Sequence, residues 1–195
     1  MAPIPTIMSR KLGGLPLLPY SSMVANCFVW VVYGVLIKER KVWTTNAFGG
    51  GLGLLYCNEY RKFYPKASSE GIISRHLYAV VVIALLTTLL ALALPDRMAK
   101  TAVGAEGVVL CLLLFASPLA TLKQVIEQKS SKSIPLPFTL ACLVNCFLWT
   151  IVGWFELHDF MIYTPNLFGL LFALAQASLK LLYRSTDVRT SIIPV

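Results

Sequence analysis

The sequence predicts an all-α polytopic membrane protein, built as two parallel three-helix-bundle repeats joined by a linker helix. The first helix of this 3+1+3 plan is expected to be mostly missing. Three observations lead there. The chain of 195 residues is 57% hydrophobic and only 13% charged, about half the roughly 25% charge of a soluble domain. Its apolar residues gather in blocks of about 20, the length that crosses hydrocarbon as a helix. And one pentapeptide pattern occurs twice. Asn26-Cys27-Phe28-Val29-Trp30 returns 119 residues later as Asn145-Cys146-Phe147-Leu148-Trp149, with Gly34 and Gly153 each four residues after the Trp.

The match spreads from that core. Between residues 16–34 and 135–153, 7 of 19 aligned positions are identical. After a slip of one residue, Thr44-x-Asn46-x-Phe48-Gly49 answers Thr164-x-Asn166-x-Phe168-Gly169. Pro3-x-x-Thr6 likewise answers Pro118-x-x-Thr121. A period of about half the chain indicates duplication into two halves rather than a solenoid.

Taken in order, a stub of about 2–10 leads through Arg10-Lys11-Leu12-Gly13-Gly14 into block two, 16–37. The matching Pro118 lies near the end of a full apolar block, so most of the opening helix is expected to be absent. Block three covers 42–64, and the polar stretch Pro65 to Glu70 reads as a loop. Block four, 76–94, has no counterpart elsewhere. Blocks five (100–126), six (134–156) and seven (159–183) form the second half. The expected organisation is a first repeat over 1–64, loop and linker helix over 65–99, a second repeat over 100–183, and a tail over 184–195.

Block four has a topological task. Three crossings leave the chain on the wrong side to repeat the same triple in the same orientation, and a fourth corrects this. The distribution of cations then assigns sides. With the 1–2, 3–4 and 5–6 loops and the tail on one side, that side holds 12 of the 17 Lys and Arg. Positive charge marks the cytosol, so the C-terminus is expected there. The net charge of +8 is a topology signal, and no nucleic-acid partner is called for.

Ionisable groups are scarce inside the blocks. Glu106 is the exception, expected near the outer interface, with proton coupling as the competing role. His76 and His158 fall at block ends. No GxSxG, HExxH or paired-carboxylate arrangement occurs, so no enzyme chemistry, cofactor or metal is implied. Cys27, Cys57, Cys111, Cys142 and Cys146 lie in apolar blocks and read as small packing residues. Gly49, Gly50, Gly51 and Gly53 read as a close helix-packing face.

The interior is neutral, polar and aromatic. Asn46 and Asn166 occupy matching positions, and an amide offers two donors and a two-lone-pair acceptor. That suits a ligand of many hydroxyls without a buried charge. Trp30 and Trp149 supply flat apolar faces with one polar N–H, suited to a sugar ring. Prolines put one break in each of four helices: Pro3, Pro118, Pro16 or Pro19, and Pro135 or Pro137. Such breaks make hinges or helix starts.

Taken together, these motifs resemble the SWEET (MtN3/saliva) sugar facilitators, over nearly the whole chain from Pro3 to about Tyr183. The resemblance rests on Pro-x-x-Thr, the run from Asn26 to Gly34, Thr-x-Asn-x-x-Gly at Asn46, Ser117-Pro118-Leu119 and Pro165-Asn166-x-x-Gly169. It implies uniport of mono- or disaccharides by alternating access, in a multi-pass protein of the plasma membrane or an internal membrane. It also implies substrate contacts from Asn46, Asn166 and Trp149 with Trp30 facing, hinge prolines Pro3, Pro19, Pro118 and Pro135, an outer gate of Tyr33 and Asp159, and trimers. Val152 stands where the second copy often carries Tyr. The opening apolar segment of the family, about 20 residues, is absent before Pro3. The alternatives are a truncated, non-transporting membrane subunit assembling with full-length partners, or a related carrier of another small neutral solute.

Overall fold

A computed structural model of the chain describes residues 17–63 and 66–183. Among them there are α-helices, one π segment and no strand. The helices are α1 (Leu18–Leu36), α2 (Arg40–Phe63), α3 (Lys66–Ala93), α4 (Asp96–Leu114), α5 (Ala116–Gln128), α6 (Leu136–Ile151) and α7 (Phe160–Leu182), with the π segment Val152–Glu156 following α6. The expected stub around Pro3 and the tail beyond Tyr183 lie outside the described residues. Among the described residues, five spans are long and apolar enough to cross a bilayer: Leu18–Leu36, Ile73–Ala93, Asp96–Gln128, Leu136–Glu156 and Phe160–Leu182. Helix α2 has the length, at 24 residues, but its glycines, asparagines and basic ends keep it outside that apolar set.

One expectation about boundaries is corrected. The polar stretch from Lys66 to Glu70 is not a loop but the start of α3. Lys, Ala and Glu are good helix formers, and polarity alone does not break a helix. Block five is not continuous. It breaks at Phe115, whose N–H is shared between the carbonyls of Cys111 at 3.3 Å and Leu112 at 3.2 Å. Pro118 explains the break, since it has no N–H for the carbonyl of Leu114.

The chain forms two compact units, Met1–Gly107 and Val108–Val195. In the first, α1 packs on α2 along its length and on α3. Val29, Tyr33 and Val42 form the core of that packing and are buried. In the second, α7 packs on α6 and on α5, around the buried Ile134, Ile162 and Ala173. The loop before α6 is tied to the end of α7. Buried Ser131 donates to the carbonyl of Tyr183 at 2.6 Å, and Lys180 donates to the carbonyl of Ser131 at 2.8 Å.

The outer faces are apolar. Leu92 and Leu181 are 81% and 80% exposed, which water would penalise and lipid does not.

Candidate sugar-binding residues and their setting

Each half makes its hairpin in the same way. In the first, Gly34 lets α1 approach the backbone of α2, and a Cβ there would stand 2.7 Å from the Trp43 nitrogen. In the second, a Cβ on Gly153 would stand 2.9 Å from the Tyr163 nitrogen. The turns use left-handed residues at repeat-related positions, Lys38 (φ 58) and His158 (φ 49). The next helix is then capped by an acid in both copies. Lys41 N donates to Glu39 Oε1 at 3.5 Å, and Met161 N donates to Asp159 Oδ1 at 2.9 Å.

These hairpins carry Asn46 and Asn166 to equivalent places, six residues into α2 and α7. Asn46 Nδ2 donates to the Val42 carbonyl at 2.8 Å, and Asn166 Nδ2 to the Ile162 carbonyl at 2.7 Å. Val42 and Ile162 are themselves repeat partners, and both are buried. The back-bond fixes each amide but uses only one of its donors. The Oδ1 atoms make no hydrogen bond among the described residues, and neither is sealed in the interior. Each amide therefore retains an acceptor and one N–H for a ligand.

The two tryptophans differ. Trp149 is half-buried. Trp30 is only 7% exposed: Gly107 lies so close that a Cβ would be 3.0 Å from its Cζ2. The Tyr33 ring stands edge-on to it, with centroids 5.5 Å apart at 90°. The expected open face at Trp30 is thus filled by packing, and Trp149 is the indole with surface to offer. Tyr33 is buried beside Trp30, and Asp159 serves as a helix cap.

The prolines also separate. Pro3 lies outside the described residues. Pro19 is in the first turn of α1 and Pro135 is the N-cap of α6, so both stand at helix starts. Proline is favoured where the N–H has no helical partner. Pro118 follows a true break. Pro165, quoted only as part of a motif, is the proline inside a helix, buried in α7 one residue before Asn166.

Comparison with known proteins gives these positions a context. A family model described as "Sugar efflux transporter for intercellular exchange" matches residues 2–68 and 101–187, more than half of the chain. Sugar transporter SWEET1 of Dictyostelium discoideum is 30% identical over 91% of this chain and 81% of its own length. Bidirectional sugar transporter SWEET4 of Oryza sativa subsp. indica is 32% identical over 96% of this chain and 75% of its own. The chain belongs to the SWEET family. A solved eukaryotic SWEET transporter superposes with a TM-score of 0.79 at 28% identity, covering 87% of this chain and 80% of that one. The chain spans 66% of the length of another SWEET relative, SWEET12 of Oryza sativa subsp. japonica.

One polar pair was not legible in the SWEET-like motifs. Thr87 of α3, with 0% exposure, reaches Glu106 Oε1 of α4 at 3.0 Å and the Ile83 carbonyl at 2.8 Å. Glu106 Oε2 is buried without a hydrogen-bond partner. Glu106 lies ten residues into α4, about 15 Å along the axis. Counted from Lys100, where the apolar block begins, it lies six residues in, about 9 Å along the axis. A signal existed: beyond His76 and Tyr78 at its start, Thr87 and Thr88 are the polar residues of an otherwise aliphatic block.

Proposed function

We propose that this chain moves a mono- or disaccharide across a membrane by alternating access, as a uniporter. Family membership and the names of its relatives as sugar transporters support the substrate class. The observation that carries the site is the pair of back-bonded amides. Asn46 and Asn166 are held alike in two repeats, each with an open acceptor and an N–H. A sugar hydroxyl is both donor and acceptor, so it uses both. Trp149 supplies the stacking face, and Trp30 backs Tyr33. Tyr33 with Asp159 forms the outer gate, and Pro3, Pro19, Pro118 and Pro135 are the hinges. The C-terminus is cytosolic, the plasma membrane is the expected location, and the assembly is a homotrimer.

Radiotracer sugar uptake in cells, normalised to surface expression, tests the site. A buried hydrogen bond lost with its partner left unpaired costs about 1–3 kcal/mol, so Asn46→Ala and Asn166→Ala should each lower uptake about fivefold or more. Wild-type uptake in both variants removes these amides from the site.

A second reading has its own observation. Glu106, with one carboxylate oxygen sealed in the interior, is the kind of group through which a carrier couples to protons. It differs from uniport in one measurable respect, accumulation against a gradient.

A further inference from the structure

A cavity of about 240 Å³ opens within the first unit, between α1, α2 and α3, and Asn46 is not among its lining residues. Its chemistry is graded. Toward the end of the helices where α2 finishes and α3 begins, it is bordered by Ser21, Asn58, Arg61 and His76. Its other walls are apolar, with Leu17 and Ile73 near that end and Val24, Leu54, Leu77 and Val80 running along the helices, Leu54 and Leu77 being exposed. Leu54 precedes Arg61 by seven residues, about 10 Å along the helix axis.

The rim is organised. Ser21 Oγ and His76 Nδ1 share a hydrogen bond of 2.9 Å, joining α1 to α3. Among the described residues, Arg61 has no carboxylate partner, whereas the neighbouring Lys62 is paired with Glu59 at 2.6 Å. Arg61 is thus a cation at this opening without an acidic partner among the described residues. The cavity is smaller than the roughly 300–1,000 Å³ usual for small-molecule sites. Apart from Ser21, Asn58, Arg61 and His76 its lining is Leu, Val, Ile and Cys, which does not suit a second sugar.

From this gradient we propose that the cavity binds an anionic glycerophospholipid. The phosphate meets Arg61, with Ser21, Asn58 and His76 as hydrogen-bonding neighbours. One acyl chain descends along Val24, Leu54, Leu77 and Val80. Charge complementarity chooses the occupant, because a guanidinium at the interface above an apolar slot matches a phosphate above a hydrocarbon chain. Basic pockets between spanning helices on the cytosolic side hold such headgroups. This placement rests on the proposed topology, which puts the 3–4 connection in the cytosol.

The test is native mass spectrometry of the full chain in detergent, titrated with phosphatidylserine or phosphatidylcholine, alongside thermal shift with inorganic phosphate. Phosphatidylserine should be retained in preference to phosphatidylcholine. Arg61→Gln should reduce its retention about fivefold, the effect of one basic side chain near anionic lipid, and leave sugar uptake intact. Val24→Trp should block the slot and abolish retention of phosphatidylserine. If that variant fails to fold, Leu77→Phe, on the exposed α3 side, provides the same reading. Equal retention of both lipids, unchanged in Arg61→Gln, overturns the proposal. So does stabilisation by inorganic phosphate equal to that by lipid, which would mean an anion site without an acyl slot. Protease accessibility of a C-terminal tag in sealed vesicles tests the topology separately, so its failure is distinct from failure to bind lipid.

Discussion

At the residue scale, the repeated cysteines and glycines form one contact made twice. A Cβ on Gly49 would stand 3.2 Å from Cys27 Sγ, and one on Gly169 would stand 2.7 Å from Cys146 Sγ. Each half therefore packs its second helix on its third through Cys against Gly, beside its amide. The expectation of a glycine packing face holds for Gly49, Gly50 and Gly53, whose added Cβ atoms would meet Cys27 or Val24, whereas Gly51 has nothing within 4 Å. Gly169→Ala should destabilise the protein by about 1–3 kcal/mol, the usual cost of overpacking. Cys146→Ala in the same chain should recover part of that, because the Phe115 ring, 3.1 Å from the added Cβ, still resists. Melting temperatures of the two single variants and the double variant give the cycle, and strict additivity would contradict the contact. At Asp159 the cap and the proposed gate can be separated. Asn caps as well as Asp, so Asp159→Asn should melt like wild type, and any fall in sugar uptake then reports the lost charge at the gate.

At the element scale, the one-residue slip between the repeats has a physical form. Gly34 to Lys38 spans four residues, while Gly153 to His158 spans five. The extra residue is absorbed in the π segment Val152–Glu156, where Leu157 N bonds to the Val152 carbonyl at 2.9 Å. The first copy reaches its turn without one, and Glu39 N bonds to the Gly34 carbonyl at 2.8 Å. A π-bulge is how a helix takes in one residue without losing the register that follows. The second asymmetry is Pro165, which stands where the first copy has Thr45. Proline removes the bond to the Met161 carbonyl. Pro165→Ala can restore it, and should raise stability by about 0.5–1.5 kcal/mol. It should also lower sugar uptake if that loosened turn moves with Asn166. Unchanged melting temperature and uptake together would show that Pro165 is accommodated without cost and without use.

At the scale of the whole molecule, the question is what drives net flux. A uniporter equilibrates its sugar, so proteoliposomes should reach the external concentration and stop, with or without an imposed pH gradient. Accumulation above it, abolished in Glu106→Gln, would replace uniport by proton coupling through the Thr87–Glu106 pair. The sequence favoured uniport because its blocks hold almost no ionisable group. Spanning helices with faces of leucine, such as α3 and the end of α7, are stable only where no water reaches them, so these assays require a bilayer or its detergent substitute.

The sequence by itself determined the membrane class, the two-fold duplication, the family and the matched asparagines. Each of these is written in periodicity, composition or motif, which a linear chain carries without folding. It also indicated the bulge, as an unexplained slip of one residue. Burial and side-chain partners were decided only by the tertiary structure. Trp30 and Trp149 are identical in motif, yet Gly107, 77 positions away from Trp30, fills the face of one. Pro19 and Pro135 became helix starts, because whether a proline breaks or opens a helix depends on where the preceding turn ends. Thr87 and Glu106 meet only because α3 and α4 fold back on each other, and Arg61, Ser21 and His76 border one cavity because three helices converge. Such contacts join residues distant in sequence, and no local pattern encodes the distance between them.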